Sequence, residues 1–368
     1  MSLRNNILSG HHAFDLSEAQ LWVWGENSDG RSGILPLSDQ SNPVQSGSLL
    51  DWVDVKGGGN HSIAAKIDGT LWGWGGNAVG EVGDSSTTNR SSPVQLGSDS
   101  TWASVSVGGS HSGAVKKTGE LFTWGGDYDG ELGIGGGASA HKSSPSQVGA
   151  LTDWSLLSLA DQQSAALKTD GTIWTWGVNT SGQLGDGSTT DRISPVQVGA
   201  LTTWANIDAG DDHTLAVKTD GTLWAWGLGT FGRLGDGTAI SKSSPVQVGA
   251  LTTWATVSAG QDHSLAVKTD GTLWGWGRNV TGEIGDGSTT ERSSPVQVGA
   301  LTDWVSVSGG NRFSVALNID GEIWAFGVNS SGQLGDGSTT ARSSPVQSGS
   351  LKHWLSAQAG SAHTLGRR

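Results

Sequence analysis

Seven copies of one five-residue motif divide the chain into nearly equal steps. The motif is Leu-Trp-x-Trp-Gly, with Ile allowed for Leu and Phe for either Trp. The copies stand at Leu21–Gly25, Leu71–Gly75, Leu121–Gly125, Ile173–Gly177, Leu223–Gly227, Leu273–Gly277 and Ile323–Gly327. Successive copies are 50, 50, 52, 50, 50 and 50 residues apart. A fixed period of this length means stacked supersecondary units sharing a continuous core, so the 368 residues need not be two or three separate domains. Every one of the 19 Trp residues falls at a repeat-periodic position, which makes the Trp excess architectural.

One repeat, residues 253–300, shows what each unit is. Trp254-Ala255-Thr256-Val257-Ser258 alternates at period two, as a strand does, and so does His263-Ser264-Leu265-Ala266-Val267-Lys268. Asp270-Gly271 between the second and third runs is a hairpin signal, because Gly accepts positive φ. Leu273–Gly277 is a third strand. Ser294-Pro295-Val296-Gln297-Val298 is a fourth, its Pro suited to an edge where no ladder donor is missed. No helical periodicity occurs. Four short antiparallel strands per unit, repeated radially, make an all-β, seven-bladed β-propeller. A solenoid would need polar capping repeats at both ends, and none is visible. The chain opens on half a repeat (Leu21–Gly25, Pro43-Val44-Gln45) and closes on the complementary half (354–358, His363-Thr364-Leu365). The expected closure joins two outer strands from the N-terminal half-repeat to two inner ones from the C-terminal half. Residues 1–20 are then a lead-in and residues 21–368 a single propeller.

Composition narrows the function. A formal charge of −13 disfavours nucleic acid and anionic membrane surfaces as partners. No apolar run approaches the ~18 residues of a membrane span, and Met1–Gly10 has no secretory h-region. Without cysteine there is no disulfide, thiolate metal site or thiol nucleophile. No nucleophile–base–acid set and no phosphate loop emerges. The expectation is no enzyme and no cofactor.

The run His263–Gly287, and nearly as clearly His213–Gly237 with Gly229 in place of Asn, resembles the repeat of the regulator of chromosome condensation family. The resemblance covers residues 21–365 and implies a seven-bladed propeller. Three activities of the family bear on function. Its founding member is a guanine-nucleotide exchange factor with a basic tail and an inserted wedge; Met1–Gln20 is not basic and the constant period leaves no room for a wedge. The plant UV-B photoreceptor uses Gly-Trp-Arg-His-Thr motifs; the nearest stretch here is Gly310-Asn311-Arg312-Phe313-Ser314, without the Trp. The bacterial β-lactamase inhibitory propeller grips its target with loops on one face, which needs only exposed, varied loops. The linker Gly-Asp-Gly-Ser-Thr-Thr at 185–190, 285–290 and 335–340 is similar to that of bacterial and phage proteins.

Polar columns of the repeat read mostly as structure. His61, His111, His213, His263 and His363 recur, with Gln163 and Phe313 in the same column, so they are expected to bond a neighbouring blade's backbone. Asp186, Asp236, Asp286 and Asp336 lack the alternating acids of a calcium loop. Gly57-Gly58-Gly59 is expected to let inner strands crowd the axis. Arg90, Lys142, Arg192, Lys242, Arg292 and Arg342 recur three places before the outer-strand Pro. They form either an anion-binding ring or separate rim charges paired with acids such as Asp191 or Glu291; surface statistics favour the latter.

The informative variation follows each Trp-Gly or Phe-Gly. There the glycines stay and the centre changes, and aromatic residues off the strand pattern are interaction anchors. The candidate partner-binding residues are Asp127, Tyr128 and Asp129, Leu228 and Phe231, and Arg278 and Val280. The expectation is a non-catalytic protein-binding or structural display module that meets a protein partner through loops on one face. A phage virion component, virion-associated or extracellular, is the favoured setting. The alternative is a cytoplasmic regulator that binds a GTPase or another enzyme.

Overall fold

A computed structural model describes residues 16–136 and 139–368. It contains seven four-stranded antiparallel sheets, and six of them run through consecutive strands from the axis outward. Blades 1 to 6 span residues 52–95, 102–147, 154–197, 204–247, 254–297 and 304–347. Blade 7 is the closure. Its outer strands are Gln40–Gln45 and Leu21–Gly25, and its inner strands are His363–Arg367 and Ser356–Ala359. Leu21 pairs with Arg367 and Gly25 with His363, so five residue pairs join the ends of the chain as expected. The lead-in is described only from Leu16, whose turn Leu16–Glu18 is a short 3-10 segment.

Register follows from the alternation. In blade 5 Val267 faces Leu273 and His263 faces Gly277 across the central pair, with a bulge between Trp254 and Thr256 in the inner pair. Gly277 (φ 100°) ends the third strand where a Cβ would lie 2.7 Å from the Asp262 carbonyl oxygen, so only Gly fits. At the axis a Cβ on Gly58 would lie 2.3 Å from Val107, the close approach expected of that tract.

Seven apolar clusters fill the gaps between blades. One joins Leu215, Leu223 and Leu234 of blade 4 to Trp254, Val257 and Trp276 of blade 5. Trp254 meets Trp274 and Trp276 with ring centroids at 6.0 and 6.2 Å, in the edge-to-face geometry that aromatic pairs favour. The second aromatic of each motif, Trp in six blades and Phe326 in blade 6, is fully buried. The first stays partly exposed; in blades 1, 3, 4 and 5 it donates to a threonine hydroxyl (Trp274 to Thr272, 2.8 Å) beneath a lysine ammonium, Lys268 standing 3.6 Å from the Trp274 ring centre.

The histidine column ties blade to blade, through a hydroxyl rather than the expected backbone. His263 Nε2 lies 2.8 Å from Ser314 Oγ, and Ser314 Oγ donates to the Glu283 carbonyl at 2.9 Å. A hydroxyl has one proton, so the imidazole must donate through Nε2. His61–Ser112, His111–Ser164, His213–Ser264 and His363–Ser62 repeat the link. Gln163 alone does what was expected, donating to the Gly210 and His213 carbonyls of blade 4. Full burial pushes His111 and His263 down to about 4 and His61 and His363 to about 3; it also holds His213 well below its ordinary value. These imidazoles are neutral struts.

Candidate binding face

Antiparallel strands alternate in direction, so loops joining strands one to two and three to four leave on one face. The Asp-Gly turns leave on the other. The first face therefore collects every loop singled out by its variation, together with the short turns before each histidine.

An asparagine amide holds the third-to-fourth loop in five of the seven blades. In blade 3 Asn179 Nδ2 donates to Asp186 Oδ1, the Ser188 and Thr190 carbonyls and Ser188 Oγ at 3.1–3.3 Å, while its Oδ1 accepts from Leu184 N–H at 3.0 Å. Arg192 then closes on Asp186 Oδ2, 2.8 and 2.6 Å from its Nε and Nη2. Asn279 with Arg292 and Asn329 with Arg342 repeat the arrangement.

Five of the six rim cations are thus spoken for. Arg90 pairs with Asp84, Arg192 with Asp186, Lys242 with Asp236, Arg292 with Asp286 and Arg342 with Asp336. This agrees with the favoured reading of paired rim charges over an anion ring, but it corrects the expected counter-ions. The acid lies six residues upstream in the Gly-Asp column, while Asp191 instead accepts from Asn179 N–H at 2.7 Å. Burial works to raise Asp84, Asp186, Asp286 and Asp336, but serine hydroxyl and arginine bonds outweigh it and hold them below the usual carboxylate range. Those same bonds occupy the oxygens a cation would need. Lys142 differs, because Ile134 stands where blades 1 and 3 to 6 have the acid.

Blade 2 breaks the pattern a second time. Asp127 occupies the asparagine position, and at 1% exposure it is an anchor, not the surface contact expected of it. Its Oδ1 accepts from Leu132 N–H, its Oδ2 has no partner, and burial pushes its carboxyl up. Tyr128 beside it is 45% exposed and packs edge-on against His141 at 4.7 Å; Asp129 is exposed.

Blade 4 breaks it most. Gly229 has no amide, and the loop has collapsed into the vacant space: a Cβ there would lie 2.4 Å from the Ile240 carbonyl carbon. In five blades a Glu or Gln side chain fixes the loop tip by accepting a backbone N–H, as Glu283 does from Thr281 at 2.8 Å, while blade 7 has Arg31 in that position. In blade 4 Arg233 replaces that acceptor. Phe231 takes φ 62° and is 39% exposed, with the Arg233 and Arg278 guanidinium carbons 5.6 and 5.5 Å from its ring centre. Val280 is exposed nearby, while Leu228 is only half-buried.

A feature not anticipated from the sequence crosses three blades. Arg233 lies 3.8 Å from Asp212 and 2.6 Å from Asp262; Asp262 also takes Arg278 at 3.1 Å. Glu283 stands 4.0 Å from Arg278 and 3.8 Å from Arg312. The charges alternate along the mouth of the central channel. Beyond Asp212 the mouth is acidic. Burial, then Asp161 and Asp212, push Asp211 up to about 7 against a hydrogen bond from Gln261, and burial raises Asp161 and Asp212. Most of these residues sit in the two positions before the histidine column, which read Gly59-Asn60, Gly109-Ser110, Asp161-Gln162, Asp211-Asp212, Gln261-Asp262, Asn311-Arg312 and Ser361-Ala362. Aligning the repeats and reading that column would have exposed them.

Comparison with solved structures agrees with this architecture. Prp20p from Saccharomyces cerevisiae, described with its binding to Gsp1p and histones, superposes with a TM-score of 0.85 at 21% identity, over 100% of this chain and 94% of that one. Human WBSCR16 gives 0.86 at 18% identity, over 95% and 98%. Yeast RCC1 (Prp20) bound to Kap60 gives 0.85 at 20%, over 99% and 91%. At these identities the likeness is one of fold. No curated protein sequence matches the chain. The model of the RCC1-like domain matches residues 20–366, nearly the full propeller, and the chain therefore belongs to the RCC1-like domain family.

Proposed function

We propose that this propeller is a non-catalytic protein-binding module whose partner docks on the face carrying Tyr128, Phe231, Val280 and the charged channel mouth. One observation carries the reading. Side chains that recur from blade to blade are consumed in holding the disc together, and those that differ between blades gather on this one face. A rigid scaffold with variable loops at one end is how binding surfaces are built. Two similar structures support a protein as the partner, since Prp20p is described with Gsp1p and histones and yeast RCC1 with Kap60. They favour a regulator that engages another protein over a virion component, for which the matched structures offer no parallel. Among the described residues no helix is long and apolar enough to cross a membrane.

The experiment is capture of the partner from the native source by the intact chain, read by mass spectrometry. A Tyr128→Ala/Phe231→Ala chain should lose the partner, and a Leu201→Ala/Leu251→Ala chain, altered on the opposite face, should keep it. The reverse pattern would move the function to the Asp-Gly face.

A further inference from the structure

Within the binding face, one patch differs from its six counterparts in backbone as well as side chain. Phe231 is in the left-handed region, whereas its counterparts Asp29, Val79, Asp129, Ser181, Thr281 and Ser331 are not. Arg312 is also left-handed (φ 69°), and Asn60, Ser110, Gln162, Asp212, Asp262 and Ala362 in its column are not. Phe231 comes from blade 4 and Arg312 from blade 6; both flank Arg278 and Glu283 of blade 5. Non-glycine residues held at positive φ cost free energy and gather where function requires a particular presentation.

The ion chain gives the patch its polarity. Asp262 is shared by Arg233 and Arg278, and Glu283 by Arg278 and Arg312. Glu283 Oε2 already accepts from Thr281 N–H; its Oε1 faces the Nε atoms of Arg278 and Arg312 at 4.0 and 3.8 Å, too far for a hydrogen bond, and none of the three atoms makes one. Arg312 is the last member. Its nearest anion is 3.8 Å away and its side chain is 36% exposed. The alternation Asp212, Arg233, Asp262, Arg278, Glu283, Arg312 therefore stops on a cation that has half a counter-charge, while the exposed Phe231 ring lies on the other side of Arg278, 5.5 Å from its guanidinium carbon.

We infer that Phe231, Arg278 and Arg312 form the anchor for a protein segment that sets an Asp or Glu carboxylate on Arg312 and an apolar side chain on Phe231; this rests on the protein-binding reading above. The incoming carboxylate extends the ion chain by its missing acid. Arginine suits the task because its planar donors meet a carboxylate in pairs. The apolar side chain on Phe231 covers the Arg278 guanidinium, which lies between the two anchor points. A phosphate would meet the same guanidinium, but it would leave Phe231 without an apolar contact.

Random peptides displayed on bacteriophage, selected on the full chain and then measured as free peptides, provide the test. The expected winners carry both an Asp or Glu and a large apolar residue, and lose affinity by about tenfold or more on Phe231→Ala and on Arg312→Gly. Arg312→Gly suits the left-handed backbone, so it should fold at least as stably as the parent and lose binding all the same. Winners without a carboxylate, winners indifferent to Arg312→Gly, or no enrichment over the Phe231→Ala/Arg312→Gly chain would each overturn the assignment. Peptides lost on Tyr128→Ala but kept on Arg312→Gly would overturn this patch and leave the face as the binding surface. Peptides lost on Leu251→Ala would overturn both.

Discussion

The loop of blade 3, residues 178–191, and that of blade 4, residues 228–241, have the same length and join equivalent strands, yet they serve different ends. In the first, Asn179 gathers the loop around one amide and Arg192 seals it against Asp186. In the second, Gly229 removes the amide, Lys242 reaches Asp236 at only 3.7 Å, and Phe231 turns outward. The amide costs the loop its freedom and returns rigidity; the glycine gives up hydrogen bonds and frees a tip to present an aromatic ring. The repeat makes the disc, and departures from the repeat make the surface.

That contrast can be broken in several ways. The largest effect should come from the shared lattice. Trp276→Ala removes a fully buried indole and its 2.9 Å bond to the Arg233 carbonyl, and should destabilise the protein by ~3–5 kcal/mol in denaturant unfolding. If the loss were instead small and local to blade 5, the blades would not share a cooperative core.

Acid should act on the same lattice. The five buried histidines have folded values far below the ordinary 6.5, so the unfolded chain binds protons first as pH falls. Their contribution to stability is complete above about pH 6.5 and is lost as pH falls toward 4, by up to ~1.4 kcal/mol per histidine per pH unit. Unfolding midpoints at pH 7, 6 and 5 measure this. His213→Gln, copying the natural Gln163, should make the slope shallower.

Loop anchoring comes next. Asn179→Ala strands the Ser188 and Thr190 carbonyls and should cost ~1–3 kcal/mol, whereas no such penalty exists to be found at position 229. The converse exchange, Gly229→Asn with Ile240→Thr, should rebuild the amide cage and withdraw Phe231; its readout is the exposure of residues 229–233 to hydrogen exchange.

The smallest effect concerns the acidic mouth. Asp211 has a folded value raised to about 7, so its charge opposes folding above that pH and the opposition fades as pH falls. Asp211→Asn should therefore raise stability at pH 8, on the order of 1 kcal/mol, with the gain shrinking toward pH 5. A gain that grew on acidification would mean the carboxylate is compensated in a way the structure does not show.

Much of this was legible in the chain because a 50-residue period translates directly into blades, and half-repeats at the two ends imply a split seventh sheet. The exposure of Tyr128 and Phe231 was legible too, since both lie in the varied loops between Trp-Gly and the outer strand. Asp127 was misread because an aspartate beside an exposed tyrosine looks like surface; only its column, with Asn27, Asn77 and Asn179 at the same place, shows that the position points inward. The rim cations were assigned to the wrong acids because adjacency in sequence was taken for adjacency in the loop, which folds Arg192 back on Asp186. The ion chain was missed because its members, Asp212, Asp262 and Arg312, are one period apart. In a propeller that separation places them on neighbouring blades.

One double dissociation separates lattice from surface: thermal unfolding and partner affinity measured side by side for Asn179→Ala and Phe231→Ala, using the protein recovered by capture. Asn179→Ala should lower the melting temperature and leave affinity unchanged, while Phe231→Ala should leave melting unchanged and weaken binding by about tenfold or more. If Asn179→Ala abolished binding while Phe231→Ala altered only stability, the repeated lattice would be the functional surface and the division drawn between the two loops would be wrong.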